Sequence, residues 1–342
     1  MIGMRLLRHA LRTEARNHLK VVRHFSKDSD AMNSGVERDP SQTFISPEVQ
    51  SLLKELTAVN LGKVFEIKRY QEKLGTPKYK FMTDEEVEIA RNKAVQQSAE
   101  KLQMPPVLLA RKENPEVLAR DPILKGYDPD NSTYVFTDIT FGKSDHDRLI
   151  VKREPDGTLS KVTWEERDNI NQVYFPFPGR KWTLPKMFEP EYFDDLMKRE
   201  EYVFILDRAC VQFEPNHPKY IEITQKTYET INEKKSFDKL RSTRHFGPLA
   251  FHLAWNKQID NLVLECLQKE RIDDAVRAIQ LLHIIHQDSK SINVQFDGNN
   301  HMEFIKNYTN TDSLKQGALS LAIETFEQTA LQRQELLSVH NS

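Results

Sequence analysis

Apolar and polar positions divide the chain into a helical beginning, a short alternating middle and a long helical end. Ser46 and Pro47 are a typical helix cap and first helical residue, and they open the first apolar stripe. That stripe consists of Val49, Leu52, Leu53 and Leu56. Thr83 and Glu86 have the spacing of a capping box, which predicts a second helix to about Gln103. Two prolines then end it.

The period changes to two in the middle of the chain, which is typical of strands. Residues 134–139 alternate, residues 149–151 are β-rich, and residues 159–163 form a short third run. The Pro155-Asp156-Gly157 turn joins the last two runs. We therefore expect an antiparallel sheet of about three strands, covered by a helix over residues 164–175.

From Pro190 onward the apolar spacing is helical almost throughout. The clearest stripe consists of Ile259, Leu262, Val263, Cys266 and Leu267. A polar stretch over about 288–312 separates these helices from a final one. The predicted fold class is α+β, mostly α: N-terminal helices, the small antiparallel sheet, and a C-terminal α-helical stack. It divides the chain into residues 46–189 and an α-helical domain over 190–342.

The first residues have a composition of their own. Four arginines recur at helical spacing beside apolar residues, namely Arg5, Arg8, Arg12 and Arg16. This Arg-rich, acid-poor and amphipathic pattern indicates a mitochondrial transit peptide over residues 1–25, with a free basic tail as the alternative. Arg23 has the spacing of a peptidase site that cuts between Phe25 and Ser26. Residues 26–45 are polar, which predicts a disordered segment.

Charge and cysteine content limit the classes of partner. The chain has a formal net charge of −2. Removing the six basic and one acidic side chains of residues 1–25 leaves 43 basic and 50 acidic residues, a net of −7. An acidic protein does not coat nucleic acid, so any nucleic-acid contact must be a local patch. Two cysteines favour a reducing compartment, and no apolar run is long enough for a membrane span.

No group of residues forms a recognisable active site. His283 and His286 are the best metal candidates, but their apolar helix face favours an ordinary core position. Glu165, Glu166 and Asp168 are explained by the first turn of a helix, where anions complement the dipole. Phosphate-binding glycine loops and nucleophile motifs are missing from the sequence. We therefore expect no enzyme activity, no cofactor and no small-molecule substrate.

Two cationic clusters interleave with aromatic residues. The first comprises Arg180, Lys181 and Lys186, among Phe175, Phe177 and Trp182. The second comprises Lys239, Arg241, Arg244 and His245, between Phe237 and Phe246. Cations beside aromatic rings suit phosphate contact combined with base stacking, so all seven cationic residues are candidates for contact with RNA or a partner. A solvated helix face with a buried phenylalanine behind it is the alternative.

Several sequence blocks resemble a known family. They are MPPVL (104–108), YVFTDI (134–139), REP-x-GTL (153–159), WEERD (164–168), QVYFP-x-x-GRK (172–181), FEP (213–215), KTYE (226–229) and LRSTR-x-FG (240–247). Together they resemble the mitochondrion-specific small-subunit ribosomal protein family numbered twenty-two. The resemblance implies a non-catalytic constituent of the small mitochondrial ribosomal subunit in the matrix. Its expected partners are other small-subunit ribosomal proteins and local patches of the subunit's RNA. A matrix adaptor or ribosome-assembly factor outside the ribosome is the alternative.

Overall fold

A computed structural model of the chain describes residues 38–66, 79–113, 116–126, 131–143 and 148–340, with side chains described as far as residue 333. The predicted transit peptide and its cleavage site at Phe25 and Ser26 lie outside these residues. Asp39–Ser342 form one compact unit. The predicted domain boundary between residues 189 and 190 stays a prediction.

The N-terminal part is helical, as predicted. Its helices are α1 (Pro40–Ile45), α2 (Pro47–Thr57), α3 (Leu61–Val64) and α4 (Asp84–Lys101). Ser46 caps α2 by accepting a hydrogen bond from the backbone N–H of Val49. The capping box of Thr83 and Glu86 opens α4, which confirms that prediction.

The disordered segment predicted over residues 26–45 is wrong for its last residues. Residues 40–45 form α1, which Asp39 caps through the N–H of Ser41. Phe44 is buried and meets the ring of Phe251 edge-on at 5.1 Å. One aromatic anchor thus orders a segment whose other residues are polar. Residues 26–37 lie outside the described part of the chain.

The sheet has four strands in the described residues, one more than predicted. They are β1 (Val117–Arg120), β2 (Tyr134–Thr137), β3 (Ile150–Arg153) and β4 (Thr158–Lys161), in the order β1-β4-β3-β2 and antiparallel throughout. The extra strand, β1, lies in a proline-rich connector and pairs with β4 through an irregular register. All four residues of β1 are exposed, so burial imposes no alternation of apolar and polar residues along the strand. The sequence therefore carries no strand signal there.

Helix α5 (Trp164–Tyr174) follows the sheet and begins at a second capping box, formed by Thr163 and Glu166. Arg167 of α5 donates to the carbonyl of Arg148, two residues before β3, at 2.7 Å, and Lys152 of β3 lies 3.6 Å from Oε1 of Glu166. The guanidinium of Arg148 in turn lies 3.7 Å from the centre of the Phe175 ring. The predicted helix is therefore present beside the sheet.

The remainder is the predicted helical stack. Its helices are α6 (Pro190–Lys198), α7 (Tyr202–Gln212), α8 (Pro218–Lys234), α9 (Phe246–Trp255), α10 (Asp260–Gln268), α11 (Ile272–Ile285), α12 (His301–Thr311) and α13 (Gln316–His340). Helix α12 occupies the stretch predicted to be polar; Phe304, Ile305 and Tyr308 are its buried side. N-terminal α2 packs against α9 and α11, and burial of Leu53 and Leu56 ties it into the same core.

Candidate RNA- and partner-contact surfaces

The second cationic cluster is largely part of the protein's interior. The Arg241 side chain is only 6% exposed and donates to Glu265 Oε2 at 2.9 Å and to Asp274 Oδ2 at 3.1 Å. These carboxylates belong to α10 and α11, so the guanidinium joins two helices. Contact of Arg241 with RNA or a partner stays a prediction, and the two buried carboxylates that neutralise its charge argue against it.

The neighbouring Ser242 explains why the LRSTR block occurs at this position. Its backbone lies in the left-handed region, at φ 60°, and its N–H donates to the carbonyl of Thr57 at 3.0 Å. Its hydroxyl donates to the carbonyl of Ala58 at 2.5 Å and accepts from the N–H of Asn60 at 3.1 Å. The last carbonyls of a helix have no hydrogen-bond partner within the helix. Ser242 of this block supplies such partners at the C-terminal end of α2. Its role here is architectural.

His245 and Arg244 share one carboxylate. The His245 side chain is 1% exposed, and its Nε2 lies 2.9 Å from Oδ1 of Asp207. Arg244 donates to the same oxygen at 2.6 Å. Burial of Asp207 acts to raise its pKa, but the hydrogen bond from His245 and the charges of both neighbours outweigh it and lower the pKa. Contact of His245 with RNA or a partner stays a prediction, and the enclosure of its ring argues against it.

Two members of the second cluster reach the surface. Arg244 is about one-third exposed beside Asp207. Lys239 is exposed and lies 3.2 Å from Oε2 of Glu200. Each cation is thus already paired with a carboxylate of the protein, so it offers a phosphate little unbalanced charge. For these two residues, contact with RNA stays a prediction.

The first cationic cluster has a different environment: a short loop that other elements hold in place. We name residues 179–186 the Lys181 loop. The side chain of Gln212 in α7 makes two hydrogen bonds to the loop backbone. It accepts one from the N–H of Lys181 at 3.0 Å and donates one to the carbonyl of Lys181 at 2.8 Å. Arg208 donates to the Gly179 carbonyl at 2.8 Å and Gln172 of α5 to that of Arg180 at 3.3 Å. The loop backbone is thereby fixed.

Most residues of the Lys181 loop are exposed. Lys181 and Lys186 are exposed, and within the described residues neither makes an ion pair. Trp182 is 58% exposed, and Leu184 is also exposed. Arg180 is less available, because it is mostly covered, donates to the Val211 carbonyl and lies 3.9 Å from Glu214. The accessible charge of this cluster therefore resides at Lys181 and Lys186.

A cleft of about 490 Å³ opens beside the Lys181 loop. Trp164 forms one wall; its indole N–H donates to the Lys112 carbonyl at 3.0 Å, and the Arg111 guanidinium lies 4.8 Å from its ring centre. Arg111 is also paired with Asp168 at 2.5 Å. His217 lines the cleft as well, and burial together with the charge of Arg111 lowers its pKa to about 4. Its ring is therefore neutral at physiological pH.

The two metal candidates are occupied by hydrogen bonds of the protein. His283 Nε2 lies 2.6 Å from the hydroxyl of Ser291, and His286 Nε2 lies 2.9 Å from the carbonyl of Trp255. No group of three His, Cys, Asp or Glu side chains that could hold a metal ion occurs among the described residues. Both histidines are thus accounted for by packing of α11 and its C-terminal end.

Among the described helices, none is long and apolar enough to cross a membrane.

The described part of the chain is a helical body with a small sheet, buried ion pairs and a cationic-aromatic loop. A model of the family described as mitochondrial 28S ribosomal protein S22 matches residues 42–287. The chain belongs to this family. The resemblance inferred from the sequence blocks is confirmed, and with it the mitochondrial location and the class of structural, non-enzymatic ribosomal protein.

Two curated relatives extend the match over most of the chain. The small ribosomal subunit protein mS22 of Bos taurus is 36% identical over 296 residues, which cover 86% of this chain and 81% of the relative. The Mus musculus protein of the same name is 36% identical over 301 residues, covering 88% and 83% of the two chains.

Proposed function

We propose that the protein is a structural constituent of the small subunit of the mitochondrial ribosome, where it supports mitochondrial translation. Membership of the S22 family over residues 42–287 carries this proposal. The names of the bovine and mouse relatives, small ribosomal subunit protein mS22, support it. In this role the chain contributes binding surfaces and no catalysis.

We propose that the ribosomal RNA contact lies at the Lys181 loop. Lys181 and Lys186 are exposed cations with no ion pair among the described residues, and Trp182 lies between them in sequence. Because Gln212 and Arg208 already fix the backbone, contact with RNA would cost little further ordering. The rest of the acidic surface then contacts other ribosomal proteins.

The edge of the sheet is the best candidate for such a protein contact. Strand β2 has a neighbour on one side only, because β3 is its sole partner in the described sheet. Tyr134, Val135 and Phe136 are about half exposed in succession on this edge. Exposed sheet edges usually carry charges or prolines that prevent pairing. An uncharged edge is therefore suited to bind a strand or apolar segment of a neighbouring ribosomal protein.

A salt series tests the proposed RNA contact. We compare wild type with Lys181→Gln/Lys186→Gln, and take Lys93→Gln/Lys198→Gln as a control with the same loss of two exposed cations. Each lost phosphate contact should reduce the slope of log binding constant against log salt concentration by about 0.7 to 0.9. The loop variant should therefore leave the small subunit at lower salt than the wild type, while the control does not. Equal release of all three proteins would exclude an RNA contact at this loop.

A further inference from the structure

We propose that the cleft beside the Lys181 loop holds one unpaired base of the ribosomal RNA, an inference that rests on the proposed ribosomal function. The cleft has a volume of about 490 Å³, which lies within the range of about 300–1,000 Å³ typical of sites for small ligands. Exposed Lys181 lines the cleft, and exposed Lys186 follows in the same loop, so these lysines would hold the RNA backbone outside it. A flipped-out base is the part of an RNA chain that fits such a concave site.

The walls of the cleft provide aromatic surface. Trp164, Trp182 and Phe213 line it. Trp164 is fixed in place by its hydrogen bond to Lys112 and by Arg111 over its ring. Trp182 is 58% exposed, and the structure gives it no ring contact within the described residues. A tryptophan held on a rigid loop with its ring accessible is a typical platform for base stacking.

The charges that line the cleft favour a neutral group inside it. Its cations are Arg111, Arg180, Lys181 and Lys219, and its carboxylates are Glu113, Glu165, Asp168 and Glu214. Because these four positive and four negative side chains balance, the cleft offers a phosphate no net positive charge to offset the loss of its hydration. An uncharged base avoids this cost, and its phosphate can remain outside the cleft, near the loop that carries Lys181 and Lys186. The charge balance therefore places the base inside and the backbone outside.

One polar side chain of the cleft is available to contact a base edge. Asn169 is exposed, lines the cleft and makes no side-chain hydrogen bond in the described part of the chain. By contrast, Gln172 and Gln212 are already used to hold the loop. A carboxamide presents a donor and an acceptor together, which matches the edges of unpaired bases. Asn169 is thus the residue best suited to orient the base.

Chemical probing of the RNA in isolated mitochondrial small subunits tests this inference. The probes are dimethyl sulfate for adenine and cytosine and a carbodiimide for guanine and uracil. The particles carry wild-type protein, Trp182→Ala, Trp182→Phe or Tyr192→Ala, the last being a control at an aromatic residue that is similarly exposed but does not line the cleft. One stacked base contributes about 5- to 150-fold in affinity, so loss of the indole should release it.

We expect one unpaired base to be protected with the wild-type and Tyr192→Ala proteins, to react with Trp182→Ala, and to regain protection with Trp182→Phe. Identical reactivity in all four particles would overturn the inference, provided that the protein is present in each. Loss of a neighbouring ribosomal protein from Trp182→Ala particles, with unchanged RNA reactivity, would also overturn it and assign the cleft to a protein side chain. Absence of the wild-type chain from the particle would instead contradict the proposed function.

Discussion

The guanidinium of Arg241 donates to the carboxylate of Glu265 at 2.9 Å, with both side chains almost completely buried. Its other terminal nitrogen reaches Asp274 at 3.1 Å and the carbonyl of Leu56 at 3.4 Å. One cation thus connects α2, α10 and α11. Removing it would leave each buried carboxylate with one partly exposed partner only, Lys269 beside Glu265 and Arg277 beside Asp274.

The first prediction is that Arg241→Met lowers the free energy of unfolding by about 3–5 kcal/mol, the usual cost of breaking a buried ion pair. Urea denaturation of the full chain measures this change. Arg199→Met is the matched control, because its pair with Asp195 is exposed and should contribute less than about 1 kcal/mol. Combining Arg241→Met with Glu265→Gln and Asp274→Asn should recover part of the loss. A single variant as stable as the control would refute the architectural role of Arg241.

Local signals in the sequence predicted the parts of the fold that depend on neighbouring residues. The capping boxes at Thr83 and Thr163 and the turn at Gly157 are present, because each requires residues only a few positions apart. The burial of Arg241 was not predictable in this way. Its partners lie 24 and 33 positions further along the chain, and a charge pattern is the same for a surface cation and a buried one.

At the candidate site, too, local features were predictable from the sequence and features set by long-range packing were not. Residue types correctly indicated a cationic-aromatic loop, but they did not distinguish the exposed lysines at 181 and 186 from the enclosed ring of His245. That difference arises from the packing of distant helices. Helix α12 was missed for another reason, since its apolar residues are few and closely spaced among polar ones. Tertiary burial of its three large side chains outweighs that weak pattern.

A second prediction concerns pH. Burial lowers the pKa of His252 to about 4, from an ordinary value of 6.5. Between pH 6.5 and pH 4 the unfolded chain therefore binds a proton that the folded chain excludes, so the free energy of unfolding falls as the pH falls through this range. The full contribution is present above pH 6.5. His252→Gln should reduce the slope, as measured by urea denaturation at several pH values. An unchanged slope would show that the ring does not titrate in this way.

A third prediction compares two glycines. Gly157 and Gly142 have φ values of +84° and +85°, but only Gly157 is crowded: a Cβ there would lie 1.8 Å from the carbonyl oxygen of Asp121. Gly142→Ala should cost about 1–2 kcal/mol through backbone strain alone. Gly157→Ala should cost a further 1–3 kcal/mol, roughly, because the hairpin must move away from Asp121. Equal melting temperatures for the two variants would contradict this close approach.

A fourth prediction concerns import. The arginine-rich start and the spacing of Arg23 predict cleavage between Phe25 and Ser26. N-terminal sequencing of the protein recovered from mitochondria should give Ser26, or a residue shortly after it, as the first position. Recovery of the mature protein with Met1 intact would show that the basic segment is retained, as in the alternative of a free tail.

The most direct test of the central claim is the amount of this protein in salt-washed mitochondrial small subunits, measured by quantitative mass spectrometry across a sucrose gradient. A structural constituent should occur at about one copy per mature particle and remain there in high salt, because protein contacts that depend little on charge supplement the RNA contact. A protein found only in light fractions, or only on incomplete particles, would be an adaptor or assembly factor. That result would contradict the assignment as a ribosomal constituent.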